Sequence, residues 1–306
     1  MRELLVDGRP FDRSLAEAAH ISPDVLRRLV RLGAVRQPVR GVYVDARIRD
    51  SLELRAACLA LKLPSGAAIS RLTAAWLLGV DGRSPEERHR PLDVECTVPL
   101  GVEPVRRPGV RAYVAALRDD VQDVHGVPCT SAVRTVVDLL RWRPPHMALA
   151  VADAMAGRGL VHPEAITAAV ETFRRQPGVA QARYLAMNIE PLSESFGESW
   201  TRLRILDAGF PRPEAQVQVL VDGILVYRLD LAWRQRGIAI EYHGEEHHST
   251  HEQRTHDSLR REDLERRFDW RLLAVGKGEV LGRSLAFEYE VGGMLGLEPA
   301  ITRRRW

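Results

Sequence analysis

An Asp-Gly dipeptide between two apolar, alternating runs constrains the fold of this chain more than any other feature. Residues 215–221 and 224–233 are rich in Val, Leu and Ile, and Asp222-Gly223 separates them. Two such residues between strand-forming runs are typical of a tight turn, so we expect an antiparallel hairpin. A third apolar run, residues 238–242, follows after a short polar turn and predicts a buried third strand.

Helical patterns flank this three-stranded segment. Residues 194–208 carry apolar residues at helical spacing, and the charged stretch 253–267 predicts a second helix after the third strand. Residues 270–275 read as one more strand, and a final helix follows. The order of helix, three strands, helix and strand predicts a mixed sheet with helices packed against it.

The N-terminal region follows a different pattern, that of a winged helix-turn-helix. Ser22 is a natural N-cap and Pro23 suits the first position of a helix over residues 24–32. A shorter helix precedes it, and a turn and a strand over residues 41–44 follow it as a β-wing. Val25, Leu29 and Leu32 share one face of the second helix.

Charge supports a nucleic-acid partner for this region. Seven arginines and a single acid, Asp45, lie between Leu26 and Arg49, which suits a phosphate backbone. We assign base readout to Arg27, Arg28 and Arg31 on the second helix, and contacts to phosphate or the minor groove to the wing residues Arg36 and Arg40. The alternative is that these arginines only solvate a small helical domain.

Three regions follow from these patterns, in a multidomain chain of mixed α+β and α/β class. They are a winged helix over residues 1–50, a mixed α/β and helical middle over 51–187, and a mixed sheet flanked by helices over 188–306. In the middle region we expect helices over 52–61, 70–78 and 130–138, strands over 93–98 and 110–114, and helices within 146–187.

Carboxylates at two neighbouring strand ends suggest a metal site. Asp230 lies near the end of one predicted strand and Glu241 ends the next, while Glu198 is on the preceding helix. Adjacent strands lie about 4.8 Å apart, which brings such side chains together. Mg²⁺ or Mn²⁺ prefers these oxygen ligands and activates water for phosphodiester hydrolysis. The alternative is that Asp230 and Glu241 form salt bridges with nearby arginines.

Histidines follow the third strand in a cluster. Five of the ten are His243, His247, His248, His251 and His256. Such residues act as general acids or bases or bind metals, and some of them, His251 first, are expected to be exposed. A zinc site from His247, His248 and His251 is an alternative that the three scattered cysteines do not support. Arg260 on the next helix either holds a phosphate or belongs to a salt-bridged face.

The C-terminal third resembles the Vsr-like (very-short-patch-repair) branch of the PD-(D/E)XK nuclease superfamily. The resemblance implies a restriction-endonuclease-like core that cleaves or nicks DNA with a metal. Asp230 and Glu241 would be the metal carboxylates, Glu198 the helix carboxylate and His247 an acid or base. His243 stands where the superfamily usually has Lys, so either His243 takes the proton-transfer role or the site is weakened. The resemblance rests on residues 198–203, 228–233, 241–247, 257–260 and 270–273.

Residues 1–185 resemble the AbiEi-type antitoxin family, on the winged helix and on the segments 70–75 and 130–138. This resemblance implies DNA binding and autoregulation of an operon that encodes a nucleotidyltransferase-like toxin. The toxin partner of that family is not carried over to this chain.

Two functions are therefore expected, each with double-stranded DNA as the partner. The first is a Mg²⁺-dependent DNA endonuclease or nickase in repair or phage defence. The alternative is an AbiEi-type transcriptional regulator with a degenerate nuclease fold. Cutting both strands would require a homodimer or two visits. The sequence has no run apolar enough to span a bilayer, so we expect a bacterial cytoplasmic protein that associates with the nucleoid when bound to DNA.

Overall fold

The chain forms two compact units, Met1–Leu139 and Leu140–Trp306. The computed structural model describes residues 8–117, 119–244, 251–304 and 306, with all their side chains except those of 85, 86 and 251–258. Each unit combines helices with sheet, which confirms a multidomain fold of mixed α and β structure. The boundary predicted at residue 188 lies inside the second unit. No helix in the described part of the chain is long and apolar enough to cross a membrane.

The first unit begins with a winged helix-turn-helix, whose three strands are ordered β1-β3-β2. Ser22 Oγ accepts the main-chain N–H of Val25, and Pro23 occupies the first turn of the second helix, both as predicted. The elements are β1 (Phe11–Asp12), α1 (Arg13–Ala18), α2 (Pro23–Arg31), β2 (Val35–Val39) and β3 (Val42–Asp45).

The buried side of α2 differs in part from the predicted one. Leu26 is its buried residue, whereas Val25 and Leu32 are 41% and 68% exposed. Leu26 packs with Phe11, Ala16 and other residues of a small core. The predicted apolar face is therefore confirmed at Leu29, which packs against this core, and wrong at Val25 and Leu32.

A five-stranded sheet completes the first unit, with strand order β6-β5-β4-β8-β7. The wing joins it directly, because Val39 forms a parallel bridge with Leu92, next to β5. One apolar core therefore runs from the wing residues Val39 and Val42 to the sheet. The elements are α3 (Leu52–Ala60), β4 (Ala68–Ile69), α4 (Arg71–Leu77), α5 (Pro85–Arg88), β5 (Val94–Val98), β6 (Val110–Val114), β7 (Val121–Val124), β8 (Val127–Thr130) and α6 (Ala132–Trp142).

Helices open the second unit. Asp153 on α7 and Arg202 on α10 form an ion pair with an N···O distance of 2.5 Å, and both side chains are almost fully buried. The helical region is broken near residues 157–159, between α7 and α8, and near residues 177–178, between α8 and α9, as predicted. The elements are α7 (Pro145–Gly157), α8 (Pro163–Glu171), α9 (Val179–Ala186) and α10 (Phe196–Asp207).

A four-stranded mixed sheet, ordered β12-β11-β10-β9, follows these helices. The neighbours of β10 are antiparallel to it, and β12 runs parallel to β11. Asp222 and Gly223 both have positive φ, 51° and 78°, which confirms the predicted hairpin turn. The elements are β9 (Glu214–Val221), β10 (Ile224–Trp233), β11 (Ile238–His243), α11 (His251–Phe268), β12 (Arg271–Gly276), α12 (Lys277–Leu281) and α13 (Ala286–Leu295).

Helices cover both faces of this sheet. On one face Trp200 of α10 packs with Leu231 and Ile240. On the other face Leu264 of α11 packs with Leu229 and Ala239. The strands are apolar on both sides, as a covered sheet requires, so a charged side chain in their midst must find partners nearby.

Candidate nucleic-acid interface and carboxylate cluster

Helix α2 presents arginines on the side opposite its buried residue. Arg28 and Arg31 are exposed, and helical periodicity places them across the helix from Leu26. Arg27 is also exposed and forms an ion pair with Asp24, one turn earlier. The second helix of the motif therefore offers Arg28 and Arg31 as its central outward charges.

The two wing arginines have partners within the first unit. Arg36 is half-buried, and its Nη2 donates to the main-chain oxygen of Ile48 at 3.1 Å. Arg40 donates from Nε to Oδ1 of Asp93 at 2.5 Å, although 55% of its side chain stays exposed. Of the two, Arg40 therefore remains the more accessible to a ligand.

The predicted carboxylates of the second unit lie together. The register pairs Leu231 with Ile240, which brings the adjoining residues Asp230 and Glu241 to neighbouring positions on β10 and β11. Oδ2 of Asp230 accepts the main-chain N–H of Tyr242 at 3.0 Å. Glu198, near the start of α10, is close enough to act on the same carboxyl group.

The pKa of Asp230 is strongly raised. Its pKa rises from an ordinary 3.8 to about 7, and burial is the largest cause. The negative charges of Glu198 and Glu241 raise the pKa further, while the Tyr242 N–H and the Arg260 guanidinium oppose the shift. A carboxyl group of this kind exchanges its proton near neutral pH, as a general acid or base does.

Glu241 is neutralised by a guanidinium. Arg260 of α11 donates from Nη1 to Oε2 at 2.6 Å and from Nη2 to Oε1 at 2.5 Å. Its Nη2 also reaches the main-chain oxygen of Arg228 at 3.0 Å. This two-point pairing is the salt bridge that the sequence offered as the alternative for Glu241 and for Arg260.

Glu198 has a structural role at the start of α10. Ser195 Oγ accepts its main-chain N–H at 3.1 Å, and its own Oε2 accepts the N–H of Glu194 at 3.0 Å, so the carboxylate helps to cap the helix. Gln216 of β9 donates to the same oxygen at 2.8 Å. The sequence did not predict the contact of Gln216 with Glu198. The positive φ of Gln216, 53°, has no local sequence signal, because no glycine marks this position.

The predicted histidines divide into two groups. His243 ends β11 two residues after Glu241, on the same side of the strand by alternation. His247 and His248 lie outside the described residues, as do the side chains of His251 and His256. Their predicted roles stay predictions.

The described carboxylates do not form a three-ligand metal centre. No group of three or more His, Cys, Asp or Glu side chains within the described residues is arranged to hold a metal ion. The oxygens of Glu241 face Arg260, and one oxygen of Glu198 caps a helix. In this arrangement Arg260 occupies both oxygens of Glu241 that a Mg²⁺ or Mn²⁺ ion would use, so metal binding by Asp230 and Glu241 stays a prediction.

Comparison with known proteins finds a family model that matches the middle of the chain. Residues 67–187 match the family model of the AbiEi antitoxin C-terminal domain. This segment therefore confirms part of the predicted AbiEi resemblance. The match ends before the region that resembles Vsr-like nucleases, so that second resemblance stays a prediction.

Two curated relatives come from Mycobacterium tuberculosis. They are "Uncharacterized protein MT2308" of strain CDC 1551 / Oshkosh and "Uncharacterized protein Rv2248" of strain ATCC 25618 / H37Rv. Each is 31% identical over 179 residues, or 58% of this chain. The chain spans 62% of the length of these relatives.

A solved structure also aligns with the chain. The crystal structure of the RV2827C protein from Mycobacterium tuberculosis is 18% identical, with a TM-score of 0.34, over 62% of this chain and 78% of that chain.

Proposed function

We propose that this protein is a DNA-binding regulator of the AbiEi antitoxin type. The observation that carries the proposal is the pair Arg28 and Arg31, which α2 exposes on the side opposite its core. The same unit contains most of the segment that matches the AbiEi antitoxin C-terminal domain. A helix of this type lies in the major groove of duplex DNA, with its outward residues at the base edges.

Charge gives the proposal a measurable signature. Each phosphate contact releases condensed counterions. The logarithm of the association constant therefore falls linearly with the logarithm of the salt concentration, with a slope of about 0.9 per contact. Binding of the full chain to a duplex from upstream of its own gene should therefore weaken steeply between about 50 and 200 mM salt.

The test compares two double variants by fluorescence anisotropy. Arg28→Ala with Arg31→Ala should lower the affinity at every salt concentration and abolish preference for the upstream duplex over a scrambled one. Arg283→Ala with Arg303→Ala removes the same charge from exposed positions of the second unit, and should change neither property. If the two double variants changed affinity and duplex preference equally, this would contradict sequence recognition by α2.

A toxin partner and a homodimer belong to the same proposal, as its finer parts. An antitoxin counteracts a toxin, and helix-turn-helix regulators commonly bind paired half-sites as dimers. Copurification with the product of a neighbouring gene tests the first, and sedimentation of the full chain on its upstream duplex tests the second.

Hydrolysis of DNA is the second candidate function, and Asp230 is the observation that favours it. A carboxyl group with a pKa of about 7, beside two further carboxylates, suits proton transfer at neutral pH. The pairing of Glu241 with Arg260 weighs against a metal-dependent site and places this function second.

A nicking assay on supercoiled plasmid separates the two functions. The protein is assayed with EDTA, Mg²⁺ or Mn²⁺, alongside Asp230→Asn and the exposed control Glu298→Gln. Nicking that is lost only in Asp230→Asn would support the hydrolase. If the proteins bind DNA and none of them nicks it, the regulator would be the only function of the two that remains supported.

A further inference from the structure

We infer that the DNA interface extends beyond the winged helix, onto a phosphate-binding patch formed by Arg40, Lys62, Arg107 and Arg111 beside the wing tip. We call these four residues the wing-tip patch. The inference rests on the proposed DNA-binding function and adds to it a second contact surface for the duplex backbone.

One carboxylate lies at the centre of the patch and is shared by two guanidiniums. Arg40 Nε donates to Oδ1 of Asp93 at 2.5 Å, and Arg111 Nη2 donates to Oδ2 at 3.2 Å. The side chains of Arg40 and Arg111 remain 55% and 61% exposed. Asp93 therefore aligns two cations side by side while leaving much of each accessible.

The other two cations border the turn of the wing. A methyl group on Gly41 would lie 3.0 Å from Nζ of Lys62, so this ammonium group stands against the turn. Arg107 Nη2 donates to the main-chain oxygen of Lys62, which brings a fourth cation to the same place. The side chain of Arg40 passes just as close to Gly109, whose added methyl would lie 3.0 Å from it.

The charges of this arrangement do not balance. Arg40 and Arg111 pair with Asp93, and Lys62 and Arg107 lie beside the turn of the wing, so these five residues carry a net charge of +3. Glu95, the register partner of Arg111, is buried. Cations held close together repel one another, and a polyanion relieves that repulsion. An open cleft of about 480 Å³ adjoins the patch, with Arg106 and Arg107 in its lining.

Continuity with the wing favours a nucleic-acid backbone as the occupant over an acidic protein. Arg40 lies in the turn of the winged helix itself, and its main-chain N–H donates to the oxygen of Leu92 at 2.8 Å. A duplex that lies along the wing therefore reaches Lys62 and Arg111 without leaving the first unit. Contacts of this kind carry affinity and salt dependence and little sequence preference.

The experiment uses the full chain and its upstream duplex. Lys62→Gln with Arg111→Gln should make the slope of log affinity against log salt shallower by about two, because each lost phosphate contact removes about 0.9. The same loss should appear on a scrambled duplex. Arg283→Gln with Arg303→Gln is the control with the same change in charge, and its slope should equal that of the wild type.

Asp93→Asn tests the patch in the opposite direction and keeps all four cations. It should tighten binding several-fold, whereas Asp81→Asn should not. Asp81 is a matched control because both carboxylates are 25% exposed and paired with an arginine. Melting curves for every variant establish that the first unit is folded.

The outcomes separate this inference from the proposed function. Weaker binding in Arg28→Ala with Arg31→Ala, together with unchanged slopes in Lys62→Gln with Arg111→Gln, would overturn the patch and leave the regulator standing. Weaker binding in Asp93→Asn would also overturn it. Wild-type protein that binds no duplex would refute the proposed function itself.

Discussion

Tyr242 and Asp230 are joined across two strands by a hydrogen bond from the main-chain N–H of Tyr242 to Oδ2 of Asp230, 3.0 Å long. This is one of the few interactions that favour the ionised form of Asp230, whose pKa is nevertheless raised to about 7. Burial and the neighbouring carboxylates therefore outweigh the hydrogen bond, and the second unit holds a carboxyl group that resists ionisation at neutral pH.

Asp230→Asn should stabilise the second unit at high pH. The raised pKa means that the folded chain binds this proton more tightly than the unfolded chain, for which the ordinary value is 3.8. The contribution of this group to the free energy of unfolding is therefore fully present below about pH 4 and is lost as the pH rises to about 7. The variant should match the wild type at pH 4 and exceed it by up to about 4 kcal/mol at pH 8.

Urea unfolding followed by tryptophan fluorescence measures this difference, because five of the six tryptophans lie in the second unit. Glu298→Gln, at an exposed position, should follow the wild type at every pH. A difference in unfolding free energy between Asp230→Asn and the wild type that stays constant across the pH range would contradict the raised pKa.

Gly197→Ala should destabilise the second unit by about 3 kcal/mol or more. A methyl group there would lie 2.0 Å from two ring carbons of Tyr242, and the ring lies among core residues. Gly293→Ala is the control, since it also lies within a helix but would meet nothing within 4 Å. That change should stabilise the chain by about 0.5–1 kcal/mol. Chemical denaturation of both variants compares them, and similar results for the two would refute the close contact.

Arg202→Met should cost about 3–5 kcal/mol of unfolding free energy, because it leaves the buried carboxylate of Asp153 without its partner. The two side chains are 0% and 1% exposed. Combining it with Asp153→Leu should recover part of the loss, since no buried charge remains. A double variant less stable than Arg202→Met alone would argue against this electrostatic cause. Denaturation of the two variants in parallel gives the comparison.

The three cysteines should be unreactive in the folded protein. Cys58, Cys96 and Cys129 are free and buried, and burial raises their pKa values to about 12, 11 and 12. A thiol reagent at pH 8 should therefore label none of them quickly, and all three after denaturation. Because all three lie in the first unit, the labelling rate reports its opening separately from the tryptophan signal of the second. A thiol that reacts within the mixing time would contradict their burial.

Local signals predicted the hairpin at Asp222-Gly223 and the bounds of β10, because turn chemistry and strand composition agree there. They missed the hairpin of β7 and β8. His125 and Gly126 both have positive φ in its turn, and histidine is a weak signal for that conformation. The sequence also predicted a turn between Val35 and Val39, where the structure has β2; this strand contains Pro38, which an edge strand tolerates.

The candidate sites show the same limit. Sequence pattern brought Asp230, Glu198 and Glu241 together, since strand order and spacing determine their positions. It did not decide the partner of Glu241, because α11 alternates acids and bases and no local feature distinguishes Arg260 from its neighbours. Likewise, nothing within residues 23–32 shows that Leu26, and not Val25, meets the core. Such choices depend on tertiary packing.

The bridge between Val39 and Leu92 has a consequence for the DNA binding proposed above. It is supported by main-chain hydrogen bonds from Arg40 to Leu92 and from Leu92 to Pro38. The winged helix, which is the proposed DNA-reading part, is thereby joined to the neighbouring sheet by hydrogen bonds and not only by a flexible linker. Two copies bound to one operator would then tolerate little variation in the separation of their half-sites. Inserting a few base pairs between half-sites should weaken paired binding far more than it would for heads on flexible linkers.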